Sequence, residues 1–361
     1  MNNLCIGLKK SGVVCNRKSK FNIDDKYYCG THYKKEVKED VKEEDVKEEV
    51  EEEVEEEVKE DVKEEVKEND LDINPIILET IEKKINFKFI KFLNKGTFWS
   101  VYLATNNIDN KQYIIKLVNH TTDNSQVRKK ERDLIYWEYM VLSKLNNHNN
   151  IIKLYDGKNN YIHINSPEFN LALIITECYK ETLLERFDRL GNILTSGQIK
   201  NYGIQLVNTL KFLHSKGYMY VDFKLSNIMF KNEETENLTI VDFISCTKYV
   251  NVQCIHYEQK SFMKPVGNEL FSSIHCSNCK LSDRAGDIQS VGYILLYLYS
   301  NTLPWAKCKS SKKILNMKRN IESLDLFNES PEFIKKFIIE SNIYPFSDKP
   351  YYNNFIKILT N

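Results

Sequence analysis

Lys116 ends the apolar stretch Tyr113-Ile-Ile-Lys116, where a lysine has no packing reason to stand. Glu138 lies in a segment of helical periodicity. Far downstream, Asp222, Lys224 and Asn227 close the run that begins at His214. A short apolar strand then leads to Asp242 in Val241-Asp-Phe-Ile244. Two lysines, several acids and an amide are residue types that could handle a nucleoside triphosphate and magnesium. Phosphoryl transfer asks little covalent help of a protein; it needs negative charge neutralised and the reactants held in line. Magnesium takes few protein ligands, all hard oxygens, and shares the phosphate oxygens. Singly, each residue is ordinary, since an isolated Asp-Phe or a helix Glu is usually surface or core. The inference rests on their order, with Asp222 and Asp242 twenty residues apart around a loop and a strand.

A second set of chemically capable residues stands at the N-terminus. Cys5, Cys15, Cys29 and His32 bring four ligand groups into 28 residues. Zinc takes four sulfur or nitrogen ligands tetrahedrally and can organise a segment too short to bury a core. The alternative is a tail with free thiols. Nine cysteines, an odd number, in a chain with no apolar export signal point to reduced thiols and not to a disulfide framework. Cys276-Ser-Asn-Cys279, with His275 beside it, reads as ordinary reduced cysteines.

The elements that must position these groups follow from periodicity. Phe87–Phe92, Trp99–Thr105 and Gln112–Val118 read as strands, and Arg128–Leu145 as a helix. Two apolar runs follow, Ile151–Tyr155 and Leu171–Thr176. Helices are then expected over Ser196–Lys216, Asp287–Asn301 and Glu332–Glu340. Strands early and helices late predict an α+β chain, with a small sheet-rich lobe followed by a larger helical one.

The zero net charge conceals three regions. Residues 1–35 carry 8 basic and 2 acidic side chains, residues 36–70 carry 20 acids against 6 lysines, and the remainder is mildly basic. The acidic run has valines at 37, 41, 46, 50, 54, 58, 62 and 66. A four-residue spacing drifts around a helix of 3.6 residues per turn and makes no coiled-coil seam. A charged helical or disordered linker is expected there. Three regions result: a small zinc-binding module over 1–35, an acidic low-complexity linker over 36–75 and a folded domain over 76–361. The basic excess of the head allows an acidic protein or a nucleic acid as partner. No apolar stretch of membrane-spanning length and no signal core predict an intracellular, cytoplasmic protein with no membrane partner.

Taken together, residues from about 86 to 361 resemble a eukaryotic protein kinase of two lobes. Val221-Asp-Phe-Lys-Leu-Ser-Asn227 is similar to the catalytic loop of that family. The resemblance implies that Asp222 orients and deprotonates the acceptor hydroxyl and that Lys224 neutralises the moving phosphoryl group. It implies that Asn227 and Asp242 hold Mg²⁺, and that Lys116 touches the ATP α- and β-phosphates while paired with Glu138. Glu131 is a second candidate for that pairing, but Glu138 fits the following Leu and His-Asn-Asn-Ile pattern better. Glu177 and Cys178 would form the hinge that bonds adenine, with Thr176 beside it as gatekeeper. Asn94, Gly96 and Val101, in Leu93–Val101, would cover the nucleotide.

No Ala-Pro-Glu motif is found. Gly267–His275, Ser282–Tyr293, Leu303-Pro-Trp305 and Phe346–Tyr352 resemble the casein kinase 1 superfamily instead, the vaccinia-related branch in particular. That implies transfer from ATP to serine or threonine of a protein substrate, with Asp287 bracing the catalytic loop and Arg284 its neighbour. The Cys15 and Cys29–His32 runs resemble short zinc-binding modules of large DNA viruses, which suggests a viral or parasite-like chain. Several positions depart from the family pattern. Asn94 and Trp99 stand where glycines are usual, Tyr220 replaces the catalytic-loop histidine, Ile244 a glycine and Asn268 a threonine. The alternative to an active enzyme is therefore a weak or inactive pseudokinase scaffold that binds partners.

Overall fold

The computed structural model describes residues 75–361, apart from 96–98, 122–125, 146, 158–159, 166–168, 252 and 264–266, together with two short strands near the N-terminus. Those two, β1 (Phe21–Ile23) and β2 (Lys26–Tyr28), pair antiparallel within a unit of residues 1–70. Cys5, Cys15, Cys29, His32 and the acidic run 36–70 lie outside the described residues, so the zinc and linker expectations meet no structural observation.

The second unit, Leu71–Asn361, begins with α1 (Pro75–Ile85), a helix not expected from the sequence. Ile77, Ile81 and Ile85 recur every fourth residue along one face and are buried. They pack on a five-stranded antiparallel sheet made of β3 (Phe87–Lys95), β4 (Ser100–Asn106), β5 (Gln112–Thr121), β6 (Tyr161–Asn165) and β7 (Phe169–Glu177), ordered β3-β4-β5-β7-β6. Helix α2 (Gln126–Leu145) covers the opposite face.

Strand β7 shows how the sheet divides two cores. Leu171, Leu173 and Ile175 join the cluster containing α1, whereas Ala172 and Ile174 join the one containing Ile135 and Val141 of α2. Successive side chains of a strand point to opposite faces, so a strand covered on both sides reads as a continuous apolar run. The run Ile151–Tyr155, equally apolar, forms no strand of its own. It passes between the lobes and makes single bridges, Ile151 to Ile240 and Leu154 to Thr176.

The larger lobe is helical. It contains α3 (Leu183–Arg189), α4 (Ser196–Ser215), α5 (Arg284–Ser300), α6 (Ser311–Arg319), α7 (Glu332–Asn342) and α8 (Tyr352–Thr360). Thr195 and Gln198 cap α4 reciprocally, which satisfies donors at its first turn. Helix α5 is buried almost all round and forms the centre, with α4 and α7 against it. It starts three residues before the expected Asp287, because the Asp283 side chain accepts from Gly286 N and sets the cap there. Four short strands, β8 (Glu181–Thr182), β9 (Tyr218–Met219), β10 (Ile228–Phe230) and β11 (Leu238–Ile240), and β12 (Thr247–Lys248) beside β9, lie at the inter-lobe edge. Among the described residues no helix is long and apolar enough to cross a membrane.

Two buried cations stand out. Arg186 donates to Glu181 and to the carbonyls of Asn232, Glu233 and Thr235, tying down the loop between β10 and β11. Lys318, on α6, has no exposed surface. Its Nζ reaches the carbonyls of Glu269 and Ser272, both at 2.7 Å, and the hydroxyls of Ser272 and Ser277. It thus anchors the segment that runs from Gly267 into the short helix Ile274–Ser277. Burial pushes its pKa down to about 7, against the weaker opposite pull of Cys276 and Glu269.

Candidate active site

The sheet builds the roof of a cleft from one set of alternating residues. Val101 pairs with Lys116, and Lys116 with Ile174; Leu103 pairs with Ile114, and Ile114 with Thr176. Directly paired residues share a face, so all six line the same cleft, about 710 Å³ in volume. Their neighbours Ile115, Leu117 and Ile175 point the other way into the core under α1. This alternation explains how a lysine fits inside an apolar strand: its position in the period-two pattern faces the cleft.

Glu138 reaches the cleft from α2. Lys116 Nζ donates to its Oε2 at 2.9 Å and to Asp242 Oδ1 at 2.9 Å. Glu138 Oε1 also accepts from the Phe243 backbone N–H at 2.9 Å, so one carboxylate fixes both the lysine and the Asp242–Phe243 turn. Burial disfavours charge on Lys116, but Glu138 and Asp242 outweigh it and hold the ammonium above the usual lysine range. Burial lifts Glu138 upward, only partly opposed by Lys116. Asp242 feels the same desolvation, yet the Lys116 ammonium beside it holds its carboxyl below the usual range. The other candidate partner of Lys116, Glu131, lies in α2 with its side chain outside those described.

The floor comes from the larger lobe. Ile228 pairs with Ile240 at the open end of the β10–β11 hairpin, and Val241 N donates to Asn227 O at 2.9 Å. The hairpin therefore sets Asn227 and Asp242 side by side, although they are fifteen positions apart in the chain. Asn227 Nδ2 donates to Asp222, to its carbonyl at 3.0 Å and to Oδ2 at 3.2 Å, while Lys224 Nζ lies 3.3 Å from the same Oδ2. Since the amide nitrogen is turned to Asp222, the carboxamide oxygen of Asn227 is its acceptor end. With the carboxylate of Asp242 it makes a hard-oxygen donor pair that fits Mg²⁺ better than a softer metal.

The backbone beneath these groups is strained. Val221 has φ +74° and Asp242 φ +60°. The left-handed region is unusual for any non-glycine residue and costs a β-branched one most, of order 1–3 kcal/mol. Asp287 holds the strained loop: Oδ2 accepts from Tyr220 N at 2.8 Å and Oδ1 from Val221 N at 2.9 Å. His214 Nε2 lies 2.9 Å from Asp287 Oδ2, and His214 Nδ1 lies 2.8 Å from the Tyr352 hydroxyl. The chain from α8 through α4 to α5 thus ends on two peptide N–H groups beside Asp222. Gly267, at φ +79°, passes so close that a Cβ there would stand 3.7 Å from Val221 O.

The departures from the family pattern have distinct structural outcomes. Tyr220 is fully buried, packs edge-on against Phe223 and Phe243, and donates its hydroxyl to Val241 O. It ties the loop to the strand before Asp242, and burial keeps the phenol protonated far above its ordinary range. Asn268 turns inward on its own chain, with Oδ1 accepting from Leu270 N at 2.9 Å. Ile244 packs on the main core. Asn94 and Trp99 both line the cleft, and the Trp99 ring lies 4.7 Å from Lys116 Nζ. Gly96 lies outside the described residues.

Thr176, Glu177 and Cys178 line the far end of the cleft, where Tyr179 donates its hydroxyl to Glu177 at 3.0 Å. Burial raises the Cys178 thiol above its ordinary pKa. Ile114, Ile152, Ile174, Met229 and Val241 also line it and were not singled out from sequence. Strand alternation around Lys116 could have found Ile114 and Ile174; Ile152 and Met229 carry no such signal. Among the described residues no group of three His, Cys, Asp or Glu gathers as a metal cluster, and Cys276 and Cys279 are free thiols.

Residues 87–357 match the model described as the protein kinase domain, three quarters of the chain. A probable casein kinase I homolog of Encephalitozoon cuniculi is 24% identical over 276 residues, 74% of this chain and 82% of the relative. A probable serine/threonine-protein kinase of Dictyostelium discoideum is 25% identical over 267 residues, 73% of this chain and 50% of the relative. The B1 kinase of monkeypox virus is 24% identical over 182 residues, 47% of this chain and 60% of the relative. This chain therefore spans half to four fifths of the length of these relatives.

Proposed function

The chain belongs to the protein kinase family, and on that premise we propose that it transfers the terminal phosphoryl group of ATP to serine or threonine hydroxyls of proteins. One observation carries the reading. Lys116, Glu138 and Asp242 are joined by 2.9 Å contacts in the same cleft that Lys224 and Asn227 line. Four charged groups and an amide brought to one cleft from both lobes serve no packing purpose that apolar residues would not serve better.

In this reading the adenine lies between the apolar walls, Val101 above and Met229 below, and bonds the backbone of Glu177 and Cys178 beside Thr176. Lys116 contacts the inner phosphates, held in place by Glu138. Asn227 and Asp242 hold Mg²⁺, which offsets phosphate charge when bound. Asp222 accepts the proton of the incoming hydroxyl, and Lys224 neutralises the phosphoryl group in flight. Gly267, passing beside Asp222, leaves room for the acceptor. The serine/threonine-protein kinase name of the Dictyostelium relative supports serine and threonine as acceptors, and an intracellular site of action is part of the same proposal.

The test is transfer of label from γ-labelled ATP to serine, threonine and tyrosine peptides by wild type and Asp222→Asn. Equal incorporation by both proteins refutes the catalytic assignment, and transfer to tyrosine alone refutes the acceptor class. A second reading, a nucleotide-binding scaffold without turnover, is favoured by Trp99, whose ring stands over Lys116. Binding of Mg-ATP without label transfer selects it. For the N-terminal head the proposal is a zinc module held by Cys5, Cys15, Cys29 and His32, supported by the ligand types alone. Metal content of wild type and Cys29→Ser tests it, and metal-free wild type ends it.

A further inference from the structure

A second cavity, about 480 Å³, opens on the larger lobe where the end of α4 meets the chain after β12 and the start of α8. Lys211, Lys216, Arg284 and Lys349 line it, with His256 beside them, and no Asp or Glu does. Among the described residues none of these four cations forms a salt bridge. The residues come from positions 211 to 349, so folding alone gathers them.

Arg284 is the informative one. Its guanidinium is stacked 4.7 Å from the Tyr249 ring and donates through Nη2 to Ser347 O, so it is held in one orientation. Its Nε is buried and has no hydrogen-bond partner. A guanidinium N–H always carries its proton, and leaving one buried and unpaired is unfavourable. His256 stands beside it with Nδ1 2.7 Å from Tyr257 O, which makes Nδ1 the donor; Nε2, buried without a partner, is then an acceptor in the neutral ring and offers an anion a donor only in the imidazolium form. A pocket with one fixed guanidinium that keeps a buried, unpaired N–H, three lysines and no counter-charge matches a small, multiply charged oxyanion. Arginine supplies the planar fork and lysine the point charge with which proteins hold phosphoryl groups.

We propose that this cavity is a binding site for a phosphoryl group, separate from the nucleotide cleft. It shares a wall with the loop brace, because His214 and Tyr352, which steady Asp287, line it as well. The proposal does not depend on catalysis and stands apart from the kinase reading.

The experiment measures the melting temperature of the full chain with its nucleotide cleft saturated by Mg-ADP. Inorganic phosphate is raised at constant ionic strength, with chloride as the balancing anion. A saturable upward shift is expected. Lys216→Ala/Lys349→Ala, two exposed positions, should weaken the apparent affinity about tenfold, and Lys216→Arg/Lys349→Arg should retain it. No shift in wild type, or an unchanged affinity in the alanine pair, overturns the proposal. The melting temperature of the alanine pair without phosphate reports separately that it folds. A phosphoserine peptide and its unmodified counterpart form the second arm. Tighter binding of the phosphopeptide than of free phosphate identifies a protein-borne group; equal binding identifies the free anion, and both outcomes support the site.

Discussion

The floor and the roof of the cleft differ in what holds them. On the floor, every charged group has a named partner and the strained backbone at Val221 is braced by Asp287, which accepts hydrogen bonds from two peptide N–H groups. On the roof, the strands β3 to β5 supply Lys116, but Asn94 and Trp99 stand where the family places glycine, and an aromatic ring lies over the key lysine. Charge neutralisation is a property of residue type and tolerates no substitute. Covering the phosphates is a property of backbone shape, and several sequences can approximate it. Departures occur on both sides, Asn94 and Trp99 on the roof and Tyr220, Ile244 and Asn268 in the larger lobe, and the comparison teaches that none of them replaces a charged group of the cleft.

The largest expected effect is on the floor. Asp222→Asn removes the proposed proton acceptor while keeping the shape, and turnover should fall by roughly 10²–10⁴ with nucleotide affinity unchanged; initial rates and Mg-ATP titration check both. If the rate holds, the floor is not the chemical half. Next, Asp287→Ala frees the N–H groups of Tyr220 and Val221 and strands His214. Loss of about 3 kcal/mol is expected from breaking such a buried network, read as a lower urea midpoint. A change below about 0.5 kcal/mol would show that the loop holds its strain unaided.

Lys318 tests the floor's flank. Its folded pKa of about 7 lies below the ordinary lysine value of 10.5, so between these two pH values the unfolded chain binds the extra proton. Stability should rise with pH across that window and fall as pH drops through 7, by at most a few kcal/mol in order of magnitude. Urea midpoints of wild type and Lys318→Met at pH 6.5, 8 and 9.5 isolate the effect, and parallel profiles would count against it. The smallest effect belongs to the roof. Trp99→Gly gives up a cation–π contact worth about 1 kcal/mol and clears the ring from the cleft, so Mg-ATP should bind a few-fold tighter. Weaker binding would mean that tryptophan serves as a lid in its own right.

The charged groups of the cleft were largely legible because its chemistry forces them into apolar surroundings: Lys116 of the roof after Ile114-Ile115, Asp222 of the floor after Tyr220-Val221. Tyr220 was legible only as a departure from the family's histidine, since a sequence does not reveal that its hydroxyl finds the Val241 carbonyl. Helix α1 escaped notice because its only signal, three isoleucines spaced by four, follows directly on the acidic run. The run Ile151–Tyr155 was legible only as an apolar run, because burial between lobes selects the same apolar residues as burial in a sheet. Nothing local marks Lys318, on a helix otherwise rich in polar residues, or the basic cavity, whose walls come from distant positions.

The hairpin β10–β11 acts as a ruler. Ile228 opposite Ile240 fixes the separation of Asn227 from Asp242, whatever the number of residues in the turn beyond Phe230. Lengthening that turn leaves the two oxygen donors in place as long as Arg186 still gathers its carbonyls. A slip of one rung in the ladder, with the turn length unchanged, would swing one donor to the opposite face. Relatives of this chain are therefore better recognised by ladder alignment than by counting residues between the amide and the acid.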